Sequence, residues 1–555
     1  MDAERALPQV RPAPLAALGQ LLDWGDGLVS AQHVGRHMQY AVDDGDTNHP
    51  MIHRLARIQS ERAESGVAAR NLMALMEGCG FSDLVSEFPD QLVNHMVLPS
   101  RLLEFFQVRY PRKFATSLGV DETAIKAFWD NLRTHPDFAH FAHSNSVLRS
   151  MHEADWARLV PLTVHEDAGP YTKRSTVNII SFTGVLGRGP EKTSQFVIAS
   201  YIKEGRTSHD DAVSMWGPIL ADFEKLATVG VGGYRFLLLF AKGDLEVRAN
   251  SWGLPSYNGL EPCTECCANR GAVPWTDLTA QALWRPTHLS AAAYFARARL
   301  PLHPLVCSSF AWRYFCPLDN MHISDCNGVA HIIAGSVIRP LVLNEGRLGR
   351  NQQERLNSIN ERLAAFYNAR PGWHRMPKLR LNNLVADGWC ELNGQTVKAA
   401  NTRALTPFLV ELAEEFYNDE ADEYQRLVLR TVRAFNRFYE LMYEAGVFMS
   451  ASEVSELRRA LLRLGASVMQ LRELARQRRL LAWRITPKMH MVQHVAALAA
   501  LINPRFVQNY CEESQVGSTT QVWSRSARGR YRRTVQRLVL VKRLVALVVR
   551  LEREL

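Results

Sequence analysis

Two aspartates close apolar runs. "LVPLTVHED" ends in acids at Asp167, and "YRFLLLFAKGD" ends at Asp244. If both runs are neighbouring strands, the two carboxylates meet at the carboxyl edge of one sheet. Alone there they repel; with a divalent cation they become ligands. Mg2+ or Mn2+ suits hard oxygen donors, and Mg2+ keeps several of its waters. Two such ions roughly 3.5–4 Å apart activate a water or 3′-hydroxyl and stabilise the leaving oxygen. A third carboxylate is needed to complete such a site. The competing reading is that both aspartates end strands as turn formers.

A thiol pair follows. Cys263 and Cys266 have the Cys-x-x-Cys spacing of half a zinc site. The second half is open: His303 with Cys307, or His322, Cys326 or His331, are candidates. A chance pair or a redox motif also fits, and the adjoining Cys267 blurs the pattern. "DNMHISDCNGVAH" is a polar island in which Asp319, His322, Asp325 and His331 are potential ligands. If it enters a helix, Asp319 caps that helix and His322 satisfies a neighbour. "PKMHMVQH" puts His490 and His494 on one helical face, where histidines more often serve as satisfied core residues. "NPRFVQNYCEESQVG" sets Glu512 and Glu513 before a glycine and a basic tail.

The elements that must position these groups are legible as texture. Residues 1–155 read as a helical region: "VAARNLMALMEGCGF" and "DETAIKAFWDNLRTHPDF" repeat apolar residues at three-and-four spacing, with an Asp N-cap in "DETA" and a stop at "THP". From 156 to 262, "STVNIISFTGVLG" and "SQFVIASYIKEG" are β-branched and aromatic runs bounded by glycine, "DDAVSMWGPILADFEKLATVG" has helical period, and "YRFLLLFAKGD" is a continuous strand-length run. Three strands, a helix and a buried strand imply an α/β fold whose mixed sheet has a parallel centre. A Cys/His-containing segment spans 263–345. Long amphipathic helices fill 346–500, the last opened by a Ser-x-x-Glu capping pattern. Residues 501–555 carry the glutamates and an arginine-rich tail.

A chain of 555 residues is too long for one ordinary core. Hydrophobic content of 47% and charged content of 22% are those of a globular protein. Net charge of +9 leans mildly toward a polyanionic partner. The opening "MDAERALPQVRPAPLAALGQLL" is acidic and proline-bearing, unlike a signal peptide. No apolar run is expected to reach the roughly 20 residues that cross a bilayer, so no membrane partner is expected. Nine cysteines, an odd and sparse set, suit reduced intracellular thiols.

In this order the pieces resemble the eukaryotic cut-and-paste transposases of the CACTA and Kyakuja–Dileera–Zisupton kinds. Asp167 in "HEDAG" resembles their first Asp, which sits in a "DG"-like turn. Asp244, closing its strand ahead of Cys263 and Cys266, resembles the second. Asp319, Met321, His322, Gly328 and His331 match a "D-x-M-H…G…H" segment; Lys488, His490 and His494 match "K-x-H-x-x-x-H"; "NPR" and Glu513 with Gly517 match the acidic end, Glu512 lying one residue out of register. The chain departs from the pattern in having "DAG" for "DG" and "EES" for an "ED"-like pair. The resemblance covers about 160–520. It implies an RNase H-like core with a large all-α insertion. It also implies an Asp167–Asp244–Glu513 triad that binds Mg2+ or Mn2+ and cleaves and joins duplex DNA in the nucleus, with homo-oligomers and a structural Zn2+ at Cys263 and Cys266 as further expectations. The alternative is an inactive derivative that binds DNA or chromatin, or serves as a protein-interaction scaffold.

The tail from 525 to 555 holds ten Lys or Arg against two Glu. Arg525, Arg528, Arg530, Arg532 and Arg533 are expected to contact DNA phosphates. The following Leu/Val-rich helix is expected to pack its apolar face on the core with its basic residues solvated.

Overall fold

This computed structural model describes residues 15–43, 55–57, 72, 84–88, 92–173, 175–188, 191–203, 208–527 and 532–553. Most of "VAARNLMALMEGCGF" therefore lies outside the described residues.

The runs read as strands form one four-stranded mixed sheet. Strands β1 (Leu159–Pro170), β2 (Thr176–Gly184), β3 (Phe196–Lys203) and β4 (Arg235–Lys242) lie in the order β3-β2-β1-β4. β1, β2 and β3 make an antiparallel meander, and β4 joins β1 in parallel. A parallel join needs a crossover; helix α1 (His209–Thr228) provides it, opened by a Ser208 hydroxyl that accepts from the Asp211 amide. β1 and β4 are buried along nearly their whole length, as expected of central strands covered on both faces.

One core joins this sheet to both ends of the chain. It runs from Leu21 to Leu551 and takes in residues 294–316. Among the described residues before 155 most are helical, and Asp121 caps its helix through the amides of Thr123 and Ala124. It also contains a small hairpin, Val85–Glu87 with His95–Val97, that periodicity does not reveal.

A second core is mainly helical. After α2 (Leu245–Asn250), it is built from α3 (Val329–Asn344), α4 (Gln352–Asn368), α5 (Ala399–Phe416), α6 (Glu423–Glu444) and α7 (Ala451–Gln477), and runs on through the short α8 (Pro487–Met491) to Ala499. The Ser450/Glu453 capping box opens α7 as expected. Leu278 and Leu318 of the Cys/His-containing segment also belong to this core. Residues Met321–Asn344 are long and apolar enough to cross a bilayer by length and composition, against expectation; 72% of that window is buried inside the protein.

The chain then returns to the sheet. Helix α9 (Tyr510–Ser526) lies on β1, and the Trp523 indole donates to Ser200 Oγ on β3 at 3.0 Å. The last helix, α10 (Arg532–Arg553), packs on β3 and on the helix Leu15–Gly25.

Candidate functional site

The parallel register brings the two aspartates together. His165 pairs with Lys242 on the last rung between β1 and β4, and Asp167 and Asp244 each stand two residues further on. Side chains alternate along a strand, so His165 and Asp167 share one face. Asp167 does not sit in a turn: β1 stays paired to β2 through Pro170, and the reversal comes at Tyr171–Ser175. Asp244 does end its strand. Its Oδ1 accepts from the Val247 amide at 2.6 Å, capping α2. The residue before it, Gly243, is required by close approach. A Cβ there would meet Trp252 and Val247 at 3.0 Å and the Glu166 carbonyl at 3.2 Å.

Glu513 enters from the first turn of α9, where the helix dipole favours a carboxylate. It contacts Asp167 through a side-chain hydrogen bond, and its Oε1 lies 3.3 Å from His322 Nε2. The other ring nitrogen of His322 is 2.5 Å from Asp319 Oδ2. Asp319 also accepts the amides of Met321 at 3.1 Å, His322 at 3.3 Å and Asn509 at 3.1 Å. It thus caps the single π-turn Met321–Asp325 and holds the start of α9. A π-turn is a frequent mark of a functional site.

The electrostatics are those of a crowded anionic pocket. Burial, then Glu513 and Asp244, push the Asp167 carboxyl well above the usual range. Burial also raises Asp244, opposed by His322. Burial works against the Glu513 carboxylate too, but the His322 imidazolium outweighs it and holds its pKa at about 2. Burial disfavours charge on His322, yet Asp319 and Glu513 lift it well above its ordinary value.

Glu512 points elsewhere. It forms a buried ion pair with Lys242, so of the two adjacent glutamates only Glu513 faces the pocket. His165 was not singled out by its sequence, though its i, i+2 spacing to Asp167 is the available signal. It is 1% exposed, both ring nitrogens lack a partner, and burial and Lys242 lower its pKa to about 3. Glu166 faces the opposite side. Asn178 Nδ2 donates to it at 2.9 Å, the Tyr201 hydroxyl at 3.2 Å and the Trp252 indole at 2.8 Å, a satisfied structural network.

The thiol pair finds its other half on the far side of the helical module. Cys263, Cys266, His490 and His494 present ligand atoms all within 4.8 Å of one another, and all four are buried. Among the described residues no other such set of three or more gathers so closely, the three carboxyls included. Cys266 Sγ is 3.4 Å from His490 Nε2, which is 3.1 Å from His494 Nε2. Two thiols and two imidazoles are the donor set of structural zinc, and this cluster can bind such a metal. Burial keeps His490 neutral, the form that ligates. The expected second halves are otherwise engaged. His303 Nδ1 accepts the Leu305 amide at 3.2 Å, Cys307 bonds to the His303 carbonyl, and His322 belongs to the carboxylate pocket. Cys326 lies outside the Cys/His cluster, and its backbone carbonyl accepts from Lys488 Nζ at 2.7 Å. His331 lies between the Leu392 carbonyl and the Thr402 hydroxyl, both at 3.0 Å, a satisfied core histidine. Asp325 binds the Tyr439 and Tyr510 hydroxyls.

"PKMHMVQH" therefore serves two places. His490 and His494 face the cysteines, while the Lys488 ammonium feels Asp244 and Asp319. Of the basic tail, Arg525 donates to the Gly27 carbonyl; Arg528 and Arg530 lie outside the described residues, as do the side chains of Arg532 and Arg533. No family model matches this chain, and no curated protein matches it in sequence.

Proposed function

We propose that the chain is a transposase-type nuclease that cleaves and joins duplex DNA with an RNase H-like core. The observation that carries this reading is the meeting of Asp167, Asp244 and Glu513, from two strands and a late helix, at one edge of the sheet, with Asp167 buried and the other two half-buried. Carboxyls brought this close raise one another's pKa, as Asp167 feels Glu513 and Asp244. The same donors suit Mg2+ or Mn2+. When bound, such ions supply Lewis acidity at a phosphate and a nucleophile at neutral pH. The protein's own part is positional. Asp167 and Asp244 stand at one register position, and Asp319 fixes His322, which in turn fixes Glu513. The arginines at 525, 528, 530, 532 and 533 are retained as phosphate contacts, and action on chromosomal DNA would make the protein nuclear.

A second reading is a derivative that binds DNA or chromatin without cutting it. One observation favours it: the three carboxyls are less tightly gathered than the Cys/His atoms.

Substitution separates the two. Asp167→Asn, Asp244→Asn and Glu513→Gln should each reduce Mg2+-dependent duplex cleavage by at least about a hundredfold without lowering the melting temperature. Glu512→Gln should instead destabilise by about 3 kcal/mol, because Lys242 is left buried and unpaired. Cleavage that survives Asp244→Asn but not Asp319→Asn would transfer the second ligand to Asp319. Wild-type protein that binds duplex but never cuts it would support the non-cleaving derivative.

A further inference from the structure

Helices α6 and α7 are antiparallel neighbours in the helical module, and their outer faces line an open groove of about 1070 Å3. Its lining carries Arg426, Arg430, Arg433, Arg437, Arg459 and Arg463. Four of them form one stripe on α6 at i, i+4, i+7 and i+11, rising by about 6, 4.5 and 6 Å per step. Arg459 and Arg463 form a parallel pair on α7, also four apart.

Some of this charge is spent internally. Arg433 pairs with Glu414, and Arg437 with Glu440, Glu444 and Glu456. Arg426 donates to the Glu420 carbonyl. Arg430, Arg459 and Arg463 are exposed and, among the described residues, have no carboxylate within ion-pair distance. Glu414, Glu440, Glu444 and Glu456 offset Arg433 and Arg437, and Glu456 also feels Arg459 and Arg463. The guanidinium groups left open to an outside anion are those of Arg430, Arg459 and Arg463, which face one another across the groove.

We propose that the groove between α6 and α7 is a docking surface for the sugar-phosphate backbone of duplex DNA, remote in sequence from the carboxylate pocket. Guanidinium forks match phosphate oxygens in bidentate geometry, and open arginines on both walls of the groove, Arg430 on α6 and Arg459 and Arg463 on α7, suit a backbone that carries one charge per roughly 1.7 Å of duplex axis. The groove has no aromatic residue in its lining. Single-strand binders rely on aromatic platforms for base stacking, so this surface reads backbone and not bases. It deepens the DNA reading above by naming where the duplex is held away from the scissile bond.

The test is duplex binding by the full chain, measured by fluorescence anisotropy over a salt series, with Arg430, Arg459 and Arg463 changed together to Gln or to Lys. These exposed positions leave the fold intact, which thermal melting checks. The Gln variant should bind at least about tenfold more weakly, on every sequence alike. Its salt slope should be shallower by about 0.9 for each phosphate no longer neutralised, near 2.7 for three. The Lys variant should keep the slope. An unchanged slope in the folded Gln variant overturns the proposal, as does wild-type protein that captures an acidic peptide but not duplex. Cleavage in the same samples separates the two readings: wild type that binds through the groove yet never cuts would sink the nuclease and leave the groove standing.

Discussion

At the scale of single residues, the partners each acid meets decide which of them are structural. Asp325 is the clearest structural case. It is fully buried beneath the Tyr439 and Tyr510 hydroxyls, and burial lifts its pKa to about 7, with both hydroxyls pulling the other way. The unfolded value is 3.8. A group raised on folding favours the native state below its unfolded pKa and loses that favour as pH climbs to the folded one. Unfolding free energy should therefore fall between about pH 4 and pH 7, by roughly 4 kcal/mol if this group acts alone, and level off above. Denaturant titrations across that range check it, and Asp325→Asn should flatten the slope. The sequence marked Asp325 as a potential ligand because a sequence displays donors, not partners. It marked Asp167, Asp244 and Glu513 as a set through a resemblance and strand-end placement, and the parallel register explains why the first two meet. Choosing Glu513 over Glu512 required knowing that Lys242 points at the latter. His165 went unseen because it lies inside an apolar run, where histidine is unremarked.

At the scale of elements, the Cys/His cluster is a staple. Cys263 and Cys266 open the segment after the first sheet residues, and His490 and His494 close the helical module, so a metal there ties the two ends of a long insertion. The Trp284 ring packs against both imidazoles, with centroids at 4.3 and 5.1 Å. Purified protein should contain one zinc per chain by elemental analysis. Its removal with a chelator, or His494→Ala, should lower the melting temperature and expose the Trp284 region, because the site and the local fold form together. Metal-free protein that melts like wild type would reduce the four residues to a packed thiol–imidazole cluster. The Cys-x-x-Cys half was readable from its spacing. The other half was not, since more than two hundred positions intervene and only tertiary structure closes that distance. Helix starts fared better because caps are local: Asp121 and Ser450 each announce their helix within three residues.

At the scale of the whole molecule, the C-terminal helix belongs to the first core and not to a solvated tail. α10 buries Val535, Leu538, Val541, Val545, Val549 and Leu551 against the sheet and the helix Leu15–Gly25. Its basic residues are drawn in as well, against the sequence expectation. Lys542 lies over the Trp24 ring at 5.2 Å, and Arg543, whose pKa burial lowers to about 10, donates to Gln515 Oε1 at 2.8 Å. Arg550 pairs with Asp26, which also lies 3.5 Å from Arg543. The pattern of Leu and Val over most of the helix surface was the signal for burial on all sides; the interspersed cations obscured it, because a long basic side chain usually snorkels to water. Sheet, N-terminal helix and C-terminal helix thus form one cooperative unit into which the helical module is inserted. Deleting residues 532–555 should therefore abolish soluble folded protein, since it strips a covered face of the sheet and leaves Asp26 and Trp24 without their partners. Soluble yield and far-UV circular dichroism read the outcome. A truncated chain that stays folded and merely binds duplex DNA less well would return α10 to the role of an appended basic tail.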